Sequence, residues 1–137
     1  MDQKLELLKA VPLFSGLDAR SLAEVGRLAD EVDVRAGKVL IEEDQFGHEF
    51  FVIVAGRVAI DRGGRRLRVM GPGDFFGEIA LVDRGPRTAT ATAETDGRVL
   101  VIGHREFNSL MGAFPDVREQ VILALARRVR NLAPESD

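Results

Sequence analysis

The sequence predicts a mainly β domain, an antiparallel sandwich or barrel, with helices at both ends. Three observations carry this. Between Val32 and Ile102 the apolar residues come in short runs separated by glycine-rich turns, a spacing that belongs to antiparallel sheets. Before Glu31 and after Gly103 the apolar period changes to that of a helix. At 137 residues the chain fits one domain, 1–137, with a core of its own and no room for a second.

The N-terminal helices occupy residues 1–30. Leu5 and Leu8 share one side of a short helix that Asp2 can cap and Val11-Pro12 stops, and Leu13 to Gly16 make an apolar turn. Asp18 is a suitable N-cap for a second helix from Ala19 to Asp30. Leu17 and Leu22 stand at the positions of a hydrophobic staple, and Leu22, Val25, Leu28 and Ala29 form the buried stripe.

The β region, 31–103, contains the runs Val32 to Val34, Val39 to Ile41, Phe50 to Val54, Arg57 to Ile60, Arg66 to Met70, Thr88 to Ala93 and Arg98 to Ile102. Gly63-Gly64 predicts a tight hairpin, because primed turns need the positive φ that glycine adopts freely. Val58 and Ile60 alternate with Arg57, Ala59 and Asp61, which predicts one buried and one wet face. The segment Phe50 to Val54 is apolar on both faces and is expected to be covered on both.

Residues 104–133 are expected to form two helices. The first, Arg105 to Met111, buries Phe107 and Leu110. The second begins at Phe114-Pro115, proline being favoured at a first helical position, and runs to Leu132 with a stripe of Val121, Ile122, Leu125, Val129 and Leu132. Arg118, Arg127, Arg128 and Arg130 decorate its other sides, and the last residues form a frayed tail. Cations at a helix C-terminus complement its dipole, so this basic cluster is expected to be solvated and not to contact nucleic acid.

Composition excludes several classes. A formal charge of −3 does not suit a general binder of nucleic acid or membrane surfaces. With no cysteine there is neither a disulfide nor a thiolate nucleophile. The N-terminus lacks the pattern of a secretory signal and no apolar segment approaches a bilayer span, so a cytoplasmic location is expected. The two histidines, His48 and His104, fall in different loops and predict no metal site; Ser15, Ser21, Ser109 and Ser136 lack a nucleophile context; no Gly-Lys-Ser/Thr follows the glycines near Gly71. No enzyme is expected.

The informative stretch runs from Gly71 to Ala93. A short helix-like piece, Glu78-Ile79-Ala80-Leu81, follows Gly77 directly, so its first N–H groups lack internal partners and suit an oxyanion. Arg87 returns through a second turn with a planar fork of donors that matches two phosphate oxygens. Glu78 is unfavourable beside an anion unless it faces another part of the ligand, and a sugar hydroxyl is its natural donor. Phosphate and ribose together point to a nucleotide.

The run Phe76-Gly77-Glu78-Ile79-Ala80-Leu81, followed after Val82 to Pro86 by Arg87-Thr88-Ala89, resembles the phosphate-binding cassette of the cyclic nucleotide-binding domain family. The resemblance extends from Val11-Pro12-Leu13-Phe14 to the last helix. It weakens at Glu43-Asp44-Gln45-Phe46-Gly47-His48, where the family usually has a glycine before an acidic residue and an aspartate after the second glycine; this chain has Glu43 and His48, a departure that bears on loop shape. The resemblance implies an antiparallel jelly-roll β-barrel (double-stranded β-helix) with its cassette at 76–89. It implies a regulatory domain whose ligand contacts are Phe76, Gly77, Glu78, Ile79, Ala80, Arg87 and Thr88, with no cofactor or metal. The ligand it implies is cyclic AMP, while Thr88 leaves cyclic GMP open. Output is expected through the C-terminal helix, to a second copy or to an effector domain or protein, without direct contact to nucleic acid or membrane. Two alternatives stand beside this: an interaction module that no longer binds nucleotide, and the ligand-binding fragment of a transcription regulator without its helix-turn-helix.

Overall fold

The computed structural model describes residues 3–77 and 85–132, apart from the side chains of residues 3, 12, 124, 125, 128, 129, 131 and 132. Helix α1 (Gln3–Lys9), a 3-10 turn (Pro12–Phe14) and helix α2 (Ala19–Leu28) come first. Asp2, the expected cap of α1, lies outside the described residues, as does the tail. Asp18 caps α2: its carboxylate accepts from the Ser21 N–H at 2.8 Å, and that bond chiefly holds the carboxyl below the usual carboxylate range. Leu17 packs against the cluster that buries Leu22, as a staple requires.

The second helix was expected to reach Asp30, but it ends at Leu28. Ala29 is already extended, with φ −105° and ψ 138°, and opens strand β1 (Ala29–Val34) opposite Ile102. Pairing with a central strand here overrides local helix propensity. Strands β2 (Val39–Ile41), β3 (Glu49–Ala55), β4 (Val58–Arg62), β5 (Arg65–Met70), β6 (Phe75–Phe76), β7 (Thr90–Ala93) and β8 (Gly97–Gly103) follow. The two-residue strand β6 has no counterpart among the predicted runs; Phe76 and Phe75 pair with Phe51 and Val52.

The strands form two four-stranded antiparallel sheets, ordered β1-β8-β3-β6 and β2-β7-β4-β5. This bears out the antiparallel architecture flanked by helices and corrects the barrel. No strand among the described residues pairs into both sheets, so the sheets stay open and face each other as a sandwich. The Gly63-Gly64 hairpin is present, with φ +58° and +78° as a type I′ turn demands.

Strand β3 separates two cores. Phe50 and Val52 face the helices and pack with Leu8, Phe14, Val25 and Phe107, while Phe51 and Ile53 face the other sheet and pack with Val58, Ile60, Phe76 and Ala91. The segment is therefore covered on both sides, as expected. The wet face expected for β4 is only partly wet, because Ala59 is 3% exposed. It is small, and the ion pairs Arg57–Glu94, Arg66–Asp61 and Arg66–Glu94 lie on that side of the sheet around it.

Helix α3 (His104–Ala113) buries Phe107 and Leu110 as predicted, and Pro115 opens α4 (Pro115–Leu132). The stripe of α4 agrees with expectation at Val121 and differs at Ile122. Among the described residues Val117 and Val121, four residues apart, are its buried pair, while Ile122 is 57% exposed. Ile122 follows Val121 directly and so sits about 100° around the helix from it. The side chains of Leu125, Val129 and Leu132 lie outside the described set.

The loop between β2 and β3 holds a second correction. The glycine that the family places before its acidic residue was expected to correspond to Glu43, but the left-handed conformation falls on Asp44. With φ +70°, Asp44 is the one non-glycine with positive φ among the described residues. Asp44→Gly should raise stability by about 0.5 kcal/mol and Asp44→Val should lower it by about 2 kcal/mol, read as shifts of the urea midpoint. Equal midpoints for the two variants would refute a left-handed residue there.

Candidate functional site

The cassette begins on firm ground. Phe76 is 2% exposed and its ring stacks on Phe51 at 4.9 Å with an interplanar angle of 7°, so the residue before Gly77 is fixed in the core. Gly77 then turns with φ +93°. Glu78, Ile79 and Ala80, three of the predicted ligand contacts, lie outside the described residues.

Arg87 is the sole buried charged residue among those described, at 4% exposed. Its main chain is tied to the β2–β3 loop: the Arg87 N–H donates to the Gln45 carbonyl at 2.8 Å, and the Asp44 N–H donates to the Arg87 carbonyl at 2.9 Å. Its guanidinium is fixed as well, with Nη1 donating to the Gly77 carbonyl at 2.9 Å and Nη2 to the Glu49 carbonyl at 2.8 Å. Those bonds occupy two of five N–H donors, and no described carboxylate lies within salt-bridge distance. Burial holds the Arg87 pKa below the usual guanidinium value, against a smaller opposing pull from Glu49. An approaching anion would act in the same sense as Glu49.

Two glycines let the chain close on this group. A Cβ on Gly47 would stand 2.4 Å from both Nε and Nη2 of Arg87, and one on Gly77 would stand 3.1 Å from Nη1 and 2.9 Å from the Glu49 carbonyl oxygen. Gly47 was visible in the sequence only as a glycine of the Glu43 to His48 loop; nothing in its neighbourhood marked it as the roof of an arginine 40 positions away. Ala89 and Ala91 are buried in the core between the sheets. Thr88 is exposed, and its carbonyl accepts from Arg62 Nε at 2.8 Å.

Sequence reasoning also missed Arg68. A register shift between Ile60 and Asp61 places Arg66 on the outer face with Asp61 and sets Arg68 opposite Ile60, whose side chain lies in the core between the sheets. Arg68 Nε is buried without a hydrogen-bond partner. Burial, then the nearby Arg62 charge, holds its pKa below the usual guanidinium value, with Asp74 opposing. A strand pattern that keeps strict alternation puts Arg66 and Arg68 on one face, so nothing in the sequence sets this residue apart.

His48 stands in the β2–β3 loop and His104 heads α3, and their ring centres lie 6.3 Å apart. Among the described residues no group of three or more potential ligands is placed to hold a metal. A groove of about 590 Å³ opens elsewhere, between the β1 and β2 edges, over Val34, Phe51 and Val99, and does not include Arg87.

Comparison with known proteins agrees with this geometry. The chain is 33% identical over 130 residues to the "CRP-like cAMP-activated global transcriptional regulator" of Mycobacterium tuberculosis, covering 91% of this chain and 58% of that protein. It is 36% identical over 124 residues to a cyclic nucleotide-gated potassium channel of Rhizobium etli, covering 90% of this chain and 35% of the channel. The crystal structure of the Thermus thermophilus catabolite activator protein superposes with a TM-score of 0.81 at 30% identity, over 90% of this chain and 61% of that one. A structure described as "Sp-2Cl-cAMPS bound to PKAR CBD2" shares the fold, with a TM-score of 0.80 at 22% identity, over 96% of this chain and 92% of that one. The chain thus spans under two thirds of the regulator and the channel. Among the described residues no helix is long and apolar enough to cross a membrane. The sequence profile of the family described as "Cyclic nucleotide-binding domain" matches residues 31–114, more than half of the chain, and with the sandwich and the caged Arg87 this places the protein in that family.

Proposed function

We propose that this domain is a sensor that binds a 3',5'-cyclic nucleotide, cyclic AMP in the first instance, and passes occupancy on through α4. The observation that carries it is Arg87: a buried cation, aimed by two main-chain carbonyls, without a carboxylate partner among the described residues. A singly charged cyclic phosphate supplies the missing counter-charge through Arg87 and the N–H groups of Ile79, Ala80 and Thr88. Glu78 accepts from the ribose 2'-hydroxyl, and its charge is left unpaired by a deoxyribose ligand. The name of the M. tuberculosis regulator, which carries cAMP, supports the first choice of ligand.

Arg68 favours a second reading of the base. A guanidinium that faces the space between the sheets with an unbonded Nε suits a purine edge with two adjacent acceptors, which guanine has and adenine lacks. Thr88, next to Arg87, can add a hydroxyl on that side.

The domain does no chemistry in this scheme. Ligand that draws the cassette inward changes the packing of α4, whose Val117 and Val121 belong to the helix-side core and whose Ile122 and Leu123 are exposed to a second copy or an effector domain. Such work in the cytoplasm suits a chain that matches regulators.

Arg87→Ala should weaken cyclic AMP binding by ~2–5 kcal/mol, the scale for removing one member of a buried charge pair. Isothermal calorimetry checks it, and unchanged affinity would sink the phosphate assignment. Gly47→Ala drives a methyl into the guanidinium and should cost about 1–3 kcal/mol of stability along with affinity, seen in denaturant titration; full stability would mean that the roof is not there. Competition between the two nucleotides tests the base: Arg68→Ala should cost cyclic GMP about tenfold, near the low end of 1–3 kcal/mol for a bidentate contact, and leave cyclic AMP unchanged. Equal losses for both would exclude Arg68 as a base reader.

A further inference from the structure

We infer that Glu43 and Arg62 are positioning residues for the anion site, clamping the β4–β5 hairpin to the loop that roofs Arg87. This rests on the reading that Arg87 receives the ligand's phosphate. The roof, Gly47, sits in the loop of residues 42–48, so close that a Cβ on it would run into the Nε–Nη2 edge of the guanidinium. Any drift of that loop inward collides with Arg87, and drift outward uncovers it. What fixes the loop therefore fixes the shape of the site.

The bonds divide into two sets. One joins the loop to the segment that carries Arg87 into β7: the Asp44 N–H to the Arg87 carbonyl, the Arg87 N–H to the Gln45 carbonyl, and the Glu43 N–H to Thr90 Oγ1 at 3.0 Å. These move together with Arg87 and do not hold it against anything else. The other set reaches across to the hairpin. The Gly63 N–H donates to both oxygens of Glu43, at 2.9 and 3.3 Å, and Arg62 Nε donates to the Thr88 carbonyl at 2.8 Å. Two adjacent hairpin residues thus grip the two chain segments on either side of Arg87, one by a carboxylate from the loop and one by a guanidinium from the hairpin.

The turn supplies the donor. Gly63, at φ +58°, presents an N–H that a carboxylate can take head-on. The β2–β3 loop is meanwhile held in an unfavourable left-handed turn at Asp44, which persists only where surrounding bonds over-determine it.

The full chain tests this as Glu43→Ala, Glu43→Gln and Arg62→Ala. Amide exchange in the ligand-free protein reads the clamp, calorimetry with cyclic AMP reads the site, and thermal melting reads general stability. In Glu43→Ala and in Arg62→Ala the Asp44 and Arg87 amides should exchange about five- to tenfold faster and cyclic AMP should bind about five- to tenfold more weakly, the size of one lost hydrogen bond. The Ile53 amide, bonded to the Asp74 carbonyl in the core, should keep its rate. Glu43→Gln keeps an oxygen acceptor for the Gly63 N–H and should restore both readouts to near the parent. A lower melting temperature with unchanged exchange at Asp44 and Arg87 would overturn the proposal and reduce both residues to surface ties. Failure of the parent chain to bind cyclic AMP would sink the ligand reading instead, and the exchange rates would then decide the clamp alone.

Discussion

One buried guanidinium sets the terms for the rest of this domain. Arg87 brings a full charge to a position 4% exposed, where desolvation is unfavourable. Among the described residues the fold offsets this with dipoles and not with a carboxylate: the Gly77 and Glu49 carbonyls accept from it, and Gly47 and Gly77 allow the backbone to approach. Partial charges of this kind orient the group without neutralising it. An arginine already paired with an acid would have to exchange one partner for another on meeting an anion; among the described residues this one has no acid to exchange.

The remainder of the architecture gives that arrangement a rigid seat. Strand β3 lies at the junction, because its Glu49 carbonyl holds the arginine while Phe50 to Ile53 are buried against helices on one side and against the second sheet on the other. Phe76, stacked on Phe51, anchors the entry to the cassette on that same strand. The exit is fixed by the loop before β3. Both ends of the cassette therefore answer to one strand that the two cores hold from opposite faces, and a shift of β3 would be felt at both.

Much of this was legible in the sequence, and the reasons differ by residue. The antiparallel strands, the Asp18 cap, the Gly63-Gly64 turn and the Pro115 helix start follow from local chemistry, which needs no partner far away. Arg87 and Gly77 were found through the cassette motif and are brought together as that motif implied. The misses all depend on pairing across long separations. The helix that gave way at Ala29 did so because Ile102 stands opposite; the sheets were drawn as a closed barrel because strand count alone does not reveal which edges meet. Arg68 turned inward through a one-residue register slip, and Gly47 touches Arg87 only in three dimensions. On α4 Val121 is buried as expected, but its buried companion is Val117 and not Ile122, since the position of the 3-10 turn and α3, not the hydrophobicity of the helix, selects the face that is covered.

The strand that returns from the cassette repeats threonine and alanine, and its alanines at 89, 91 and 93 all point inward. Alanine has no rotamers. That part of the inter-sheet core is accordingly stiff in outline: it can neither swell to fill a gap nor fold aside. Across from it the long side chain of Arg68 is free to change rotamer, so the core pairs a fixed mould on one side with a compliant surface on the other.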